Sequence, residues 1–200
     1  MITIIDYGMG NLRSVQKALQ RYYSDVKISC KEEHIKDAIG IVLPGVGAFG
    51  DAIEEIEQRG LLKLLKQIIP TKPTLGICLG LQLLLNSSEE SPGVEGLGLI
   101  SGQVKKLNPS NSIRIPHTGW NRTFAIKEPF FSGFAYFNHT FYCDVVDKNT
   151  ILAFTLHGIR FGVIFNHGTM LATQFHPEKS KRIGEEILEY WINSIYGKVN

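Results

Sequence analysis

The stretch Lys72-Pro-Thr-Leu-Gly-Ile-Cys-Leu-Gly-Leu-Gln-Leu-Leu84 reads as a buried strand, Thr74 to Ile77, that hands over directly to a helix starting at Leu79. At the handover lies Gly76-Ile77-Cys78-Leu79-Gly80, a Gly-x-nucleophile-x-Gly pattern in the strand-to-helix context of a nucleophile elbow. Such a turn is tight and strained. Its nucleophile takes an unusual backbone conformation with neighbouring backbone close by, so small residues are needed at both flanks. A thiol at that point sits at a helix N-terminus, where the macrodipole and free N–H groups favour the thiolate. The same groups, that of Leu79 above all, can hold a tetrahedral oxyanion. A buried cysteine in a soluble chain is commonly just a small hydrophobe; the paired glycines are what that plainer reading leaves unexplained.

Upstream of this stretch the chain alternates short β-branched runs with helical patterns. Ile2 to Asp6 reads as a strand, Asn11 to Tyr22 as a helix with Leu12, Val15, Ala18 and Leu19 at helical spacing, and Val26 to Ser29 as a strand. Ile39 to Leu43 is a third strand, and Asp51 to Ile69 is one or two helices broken near Gly60. A βαβα series implies a parallel sheet covered by helices on both faces. The unbroken apolar run "IGIVL" agrees, since strands buried on both faces need not alternate. Downstream the character changes: after a glycine-rich stretch, Gly93 to Gly102, come short strands over Gly102–Leu107, Phe134–Asn138, Ile151–Phe154, Phe161–Phe165 and Met170–Gln174. These read as an antiparallel portion added to the parallel sheet. A last helix, Ile183 to Ile195, gathers Ile183, Ile187, Leu188, Trp191, Ile192 and Ile195 on one face. The expected class is α/β: a mostly parallel central sheet flanked by helices, with an antiparallel addition, in a single domain over residues 1–200.

Composition excludes several functions. The 200 residues are 44% apolar and 20% charged, a globular profile, and the net charge is only +2. Clustered Lys and Arg, which nucleic acids and anionic membranes select, are confined to Lys105-Lys106 and Lys179 to Arg182, so neither partner is expected. Cys30, Cys78 and Cys143 are an odd number at wide spacing and offer neither a disulfide framework nor a paired metal knuckle. The opening Met1-Ile-Thr-Ile-Ile lacks the layout of a signal peptide. A cytoplasmic, unprocessed protein is expected.

A thiolate nucleophile needs a base. Six histidines are available: His34, His117, His139, His157, His167 and His176. Only His176, in "TQFHPEKS", brings its own acid, Glu178. In an extended segment residues two apart point to the same side, and Pro177 is expected to keep the segment extended. His176 would then accept the thiol proton while Glu178 orients the imidazole. A metal reading of this pair fails on ligand count. A third stretch, Leu43-Pro-Gly-Val-Gly-Ala-Phe-Gly-Asp-Ala52, lacks the Lys-Ser/Thr of a P-loop and the full dinucleotide spacing. It is either a plain loop before a helix or a flexible backbone offering an N–H to the oxyanion opposite Leu79.

Taken together, Gly76-Ile-Cys-Leu-Gly-Leu-Gln82 and Phe175-His-Pro-Glu178 resemble the class I, triad-type glutamine amidotransferases. Within them, Asp6-Tyr-Gly-Met-Gly-Asn-Leu-Arg13, Pro44-Gly-Val-Gly-Ala-Phe-Gly50 and Pro116-His-Thr-Gly-Trp-Asn121 are similar to the glutaminase subunits of imidazole glycerol phosphate synthases. The resemblance runs from the first strand to the last helix and implies hydrolysis of L-glutamine to glutamate and ammonia, without cofactor or metal. It implies that Cys78, His176 and Glu178 form the triad and that Leu79, Val46 and Gly47 form the oxyanion region, with a peptide flip in the Pro-Gly-Val-Gly segment. It assigns Gln82, His139, Thr140 and Phe141 to the substrate. It further implies a heterodimer with a (β/α)8-barrel cyclase subunit that consumes the ammonia in histidine biosynthesis, meeting this chain at Asn11, Trp120, Asn121, Tyr136 and Lys179. The flip makes the oxyanion loop a two-state element that the partner's ligand could bias. The chain departs from the family at Thr118, usually methionine, and at Asn138, where valine is common. These leave open a paralogous subunit feeding a surface-sugar amidotransferase. The intact triad residues argue against an inactive binding module of the same fold, and the Asn11 and Trp120 motifs against an unrelated cysteine hydrolase.

Overall fold

The protein is described from a computed structural model over residues 1–108, 113–126 and 132–198. In chain order its first half is β1 (Ile2–Ile5), α1 (Leu12–Leu19), β2 (Val26–Ser29), α2 (Glu32–Lys36), β3 (Gly40–Leu43), α3 (Phe49–Gln58), α4 (Leu62–Ile68), β4 (Thr74–Ile77) and α5 (Leu79–Leu83). The second half is β5 (Ser87–Ser88), β6 (Gly102–Lys106), β7 (His117–Ala125), β8 (Gly133–His139), β9 (Phe141–Val145), β10 (Ile151–His157), β11 (Ile159–His167), β12 (Met170–Thr173) and α6 (Lys181–Ile195). A nine-stranded sheet runs β2-β1-β3-β4-β12-β11-β10-β7-β8. Its first five strands are parallel, and the last four continue it antiparallel.

Both faces of the parallel half are covered, for the reason that the apolar runs suggest. Along β3, Val42 packs on one side with Val15 and Leu19 of α1 and Ile187 and Trp191 of α6. Its neighbours Ile41 and Leu43 pack on the other with Phe49, Ile53 and Ile56 of α3 and Leu65 of α4. Alternate residues of a strand face opposite ways, so two cores require an unbroken apolar strand. Burial of each such side chain stabilises the fold by roughly 1.5–3 kcal/mol. The break between α3 and α4 falls at Gly60, φ +69°, as expected. Leu61 N–H donates to Ile56 O and Gly60 N–H to Glu57 O, the paired bonds of a Schellman cap, which needs a left-handed residue at that point.

Several expectations change. The strand over Gly102–Leu107 does not join the main sheet: β6 pairs with β5 and β9 in a separate three-stranded sheet. β8 is the edge of the large sheet, and the chain leaves it at Thr140, so β9 finds its ladder on β6 instead. The short helix α2 and the strands β5, β7 and β9 are additions to the sequence reading. The helix after Cys78 spans only Leu79–Leu83.

α5 starts unusually close to β3. A Cβ on Gly80 would lie 1.7 Å from the carbonyl oxygen of Leu43, and one on Gly76 would lie 3.2 Å from Ala172 Cβ. Gly80→Ala is therefore expected to cost about 3 kcal/mol, the upper range for overpacking, because a backbone carbonyl has no rotamer by which to move away. Urea unfolding of the variant beside the wild type measures this; an unchanged midpoint would contradict the close approach.

Candidate active site

The sheet order alone brings the distant motifs together. β3, β4 and β12 are adjacent and parallel, with Leu43 opposite Gly76 and Thr173 opposite Ile77. Their C-terminal ends thus deliver the Pro44–Gly47 loop, Cys78 and the Gln174–Glu178 segment to one edge, where open parallel sheets place their ligands. Cys78 N–H donates to Thr173 O at 2.8 Å, tying the elbow to the strand that carries the base. Cys78 itself adopts φ +54°, ψ −107°, a strained conformation for a residue with a Cβ.

The Cys78 thiol acts directly on the His176 imidazole. His176 Nδ1 lies 2.9 Å from Glu178 Oε1, and the two side chains are 4% and 1% exposed. This contact arises differently from the expectation. Pro177–Lys179 is a single 3-10 turn rather than an extended segment, with Pro177 at its first position, and only His176 is extended. The turn folds Glu178 back onto the imidazole. The main chain of His176 is clamped as well: its N–H donates to Tyr136 O at 3.0 Å, and its carbonyl accepts from Ser180 Oγ at 2.6 Å. Burial opposes a charge on His176, but the hydrogen bonds and charges of Cys78 and Glu178 outweigh it and raise its pKa to about 10. The arrangement therefore favours an imidazolium at His176. Nearby, burial and the charge at Cys78 push the Tyr7 phenol and the Cys143 thiol up, so both stay neutral.

A cavity of about 180 Å³ opens above Cys78. Val46, Gly47, Leu79, Gln82, His139, Thr140 and Phe141 all line it, so the seven residues assigned to oxyanion and substrate meet there. Gly47 has φ +105°, and a Cβ there would lie 2.5 Å from Met9 Cε. Pro44 O accepts from Tyr7 Oη at 2.6 Å, which pins the start of the loop. Leu79 N–H, at the first position of α5, has no acceptor within its helix.

Two residues that the sequence reading passed over also belong here. Glu90, on the cavity wall, accepts from Phe49 N–H at 2.8 Å; nothing local in "SSEES" signals this role. Gln174, fully buried, donates to Cys78 Sγ at 3.9 Å and accepts from Gln82 Nε2 at 3.5 Å. Its position directly after β12, beside the elbow in register, was the available clue.

Of the residues expected to meet a partner, Trp120 and Tyr136 face one another across β7 and β8 with ring centroids 6.0 Å apart. Lys179 Nζ stands 5.5 Å from the Tyr136 ring. Trp120 is 48% exposed and Phe134 62%, so Trp120 is not a core residue. Asn11 precedes α1 without capping it through its side chain. Asn121 differs from the others, because its amide turns inward to His117 and Leu156 O. The two departures, Thr118 and Asn138, prove to be a single paired change: they are opposite in register, and Thr118 Oγ1 donates to Asn138 Oδ1 at 3.0 Å beside the cavity.

The sequence profile of the class-I glutamine amidotransferases matches residues 3–193. Imidazole glycerol phosphate synthase subunit HisH of Geobacillus sp. (strain WCH70) is 42% identical, over 99% of this chain and 99% of its own length. The HisH subunit of Methanosarcina barkeri is 45% identical, over 96% of this chain and 98% of its own. Among solved structures, a glutamine amidotransferase superimposes with a TM-score of 0.78 at 19% identity, over 98% of this chain and 100% of that one. PurLQS from Thermotoga maritima gives 0.65 at 18% identity, over 98% and 97%, so the fold is shared well beyond the close relatives. The chain belongs to the class-I glutamine amidotransferases, in the branch of the HisH subunits of imidazole glycerol phosphate synthase.

Proposed function

We propose that the Cys78–His176–Glu178 array hydrolyses L-glutamine to glutamate and ammonia, and that the ammonia passes to a (β/α)8-barrel cyclase subunit bound to this chain. The observation that carries this reading is the buried thiol–imidazole–carboxylate array whose Cys78 end lines a cavity, with Leu79 N–H beside it. The HisH relatives, from a bacterium and an archaeon, support the histidine pathway over sugar amidation.

Cys78 attacks the side-chain carbonyl carbon of glutamine, and the negative charge on oxygen is taken by Leu79 N–H, with Val46 N–H joining once its peptide turns. The His176 imidazolium gives its proton to the departing amine, the C–N bond breaks, and ammonia leaves a γ-glutamyl thioester. Neutral His176 then removes a proton from water, which attacks the thioester. Glutamate departs, and thiolate and imidazolium are restored. Glu178 keeps Nδ1 of the ring occupied, so that the other nitrogen faces sulfur. Glu90, the carboxylate on the cavity wall, is suited to the α-ammonium of the substrate. The Trp120–Tyr136–Lys179 cluster is the docking face proposed for the cyclase.

Two outcomes test this. Cys78→Ala in the reconstituted complex is expected to lower glutamine-dependent synthesis roughly 10⁴-fold or more while synthesis from added ammonium salts continues. Equal loss with both nitrogen sources would instead make Cys78 a structural residue. Because His176 holds its proton up to about pH 10, kcat/KM for glutamine in the complex is expected to stay level through pH 7–9 and fall as pH rises through about 10. A decline centred near the ordinary histidine value of about 6.5 would contradict the imidazolium.

A further inference from the structure

His117 and His139 are both buried and opposite in register on β7 and β8, and His117 Nδ1 lies 2.9 Å from His139 Nε2. Neither belongs to the triad. Their protonation follows from counting donors. At one end, Phe141 O accepts from His139 Nδ1 at 2.8 Å, so that nitrogen carries the proton and Nε2 of the neutral ring is an acceptor. His117 Nδ1 must then be the donor between the rings, which leaves His117 Nε2 as an acceptor. Asn121 Nδ2 fills it at 3.0 Å. The orientation of Asn121 is fixed by main chain: Nδ2 also donates to Leu156 O at 3.0 Å, and Oδ1 accepts from Arg122 N–H at 2.7 Å.

The result is a one-way chain, Asn121 to His117 to His139 to Phe141 O, anchored at both ends by backbone. Extra protonation of either ring would set donor against donor. Burial is in keeping with this, lowering the pKa of His117 to about 3 and of His139 to about 4. Rings of Phe137 and His157 stack on His117 at centroid distances of 4.4 and 4.1 Å and hold its plane.

The chain ends beside the nucleophile. Phe141 O has two lone pairs, and the second accepts from Gln82 Nε2 at 3.1 Å. The other hydrogen of that amide goes to Gln174 Oε1 at 3.5 Å. With both hydrogens committed inward, the polar atom that Gln82 has left for the cavity is its acceptor oxygen. Resting on the glutaminase reading, we propose that the Asn121–His117–His139 chain locks Gln82 with its oxygen toward the substrate, so that the cavity reads a donor on glutamine and disfavours an extra carboxylate. His117 is thereby a positioning residue for specificity, two side chains removed from the substrate.

The test has a part that needs no variant. Long-range ¹H–¹⁵N spectra of the full chain in its complex are expected to show His117 and His139 both as the neutral Nδ1–H tautomer; an Nε2–H tautomer at either ring overturns the proposal. In kinetics of the complex, His117→Phe keeps the stacked ring but neither polar atom. It is expected to raise KM for glutamine about 10-fold, the value of a hydrogen bond lost within a buried network, with kcat changed less than about 3-fold. Competitive inhibition by glutamate should shift less than about 2-fold, and His117→Gln, which offers both a donor and an acceptor, should recover most of KM. An unchanged KM, or equal shifts for glutamine and glutamate, overturns the proposal. If the wild-type complex releases no ammonia, the glutaminase reading fails instead, and the tautomers still decide whether the chain exists.

Discussion

The conformation of Cys78, φ +54° and ψ −107°, is the constraint on which the rest of the site depends. A non-glycine residue held there costs on the order of 1–3 kcal/mol, so its surroundings must over-determine it. They do so from three sides. Cys78 N–H is bonded to Thr173 O, α5 begins where the Leu43 carbonyl leaves no room for a side chain at position 80, and Ala172 crowds Gly76. Each support comes from a neighbouring strand of the same parallel sheet, β3 or β12. The sheet order that fixes the strained thiol is therefore also what places the Pro44–Gly47 loop on one side of it and His176 on the other.

Electrostatics at this edge follow from burial that is nearly complete but unevenly compensated. His176 and Glu178 are both withdrawn from water, and an isolated charge there would be costly. The thiol, imidazole and carboxylate offset that cost in series, each charge facing an opposite one. Burial, and after it the charge at Cys78, pushes Tyr7 and Cys143 toward their neutral forms. The Gln174 amide donates to Cys78 Sγ without bringing a charge of its own.

How much of this was legible in the sequence depended on whether the signal was local. Strand-to-helix handover at Gly76–Gly80, the break at Gly60 and the apolar run of β3 each follow from backbone sterics or side-chain alternation within a few residues, and they appear where expected. The His176–Glu178 pair was found, but its geometry was not: the proline that suggested an extended segment instead opens a 3-10 turn, since proline suits a first helical position equally well. β7 alternates in burial from His117 to Thr123, but its inward set, His117, Gly119, Asn121 and Thr123, holds no large apolar residue to signal a strand, and the partner strand of β6 is decided only by where the chain leaves the large sheet. Glu90 was invisible because its place on the cavity wall depends on a contact with the start of α3, far away in sequence.

The side-chain parity of β7 and β8 connects the outer surface to the substrate cavity. Trp120 and Tyr136 lie on one face of this pair of strands, while His117, Phe137 and His139 lie on the other. Asn121 shares the parity of His117, so its amide points inward, away from the aromatic face. A partner bound to the aromatic face would press on the same two strands whose inner residues set the direction of the hydrogen-bond chain. Such a chain has no intermediate setting, because every ring nitrogen in it is either donor or acceptor. Displacing β7 relative to β8 by even a fraction of a hydrogen-bond length weakens the link between His117 and His139 first, since the other links are to main chain or lie within one strand. The strands thus link the aromatic face to Gln82 by a route that does not pass through the Pro44–Gly47 loop.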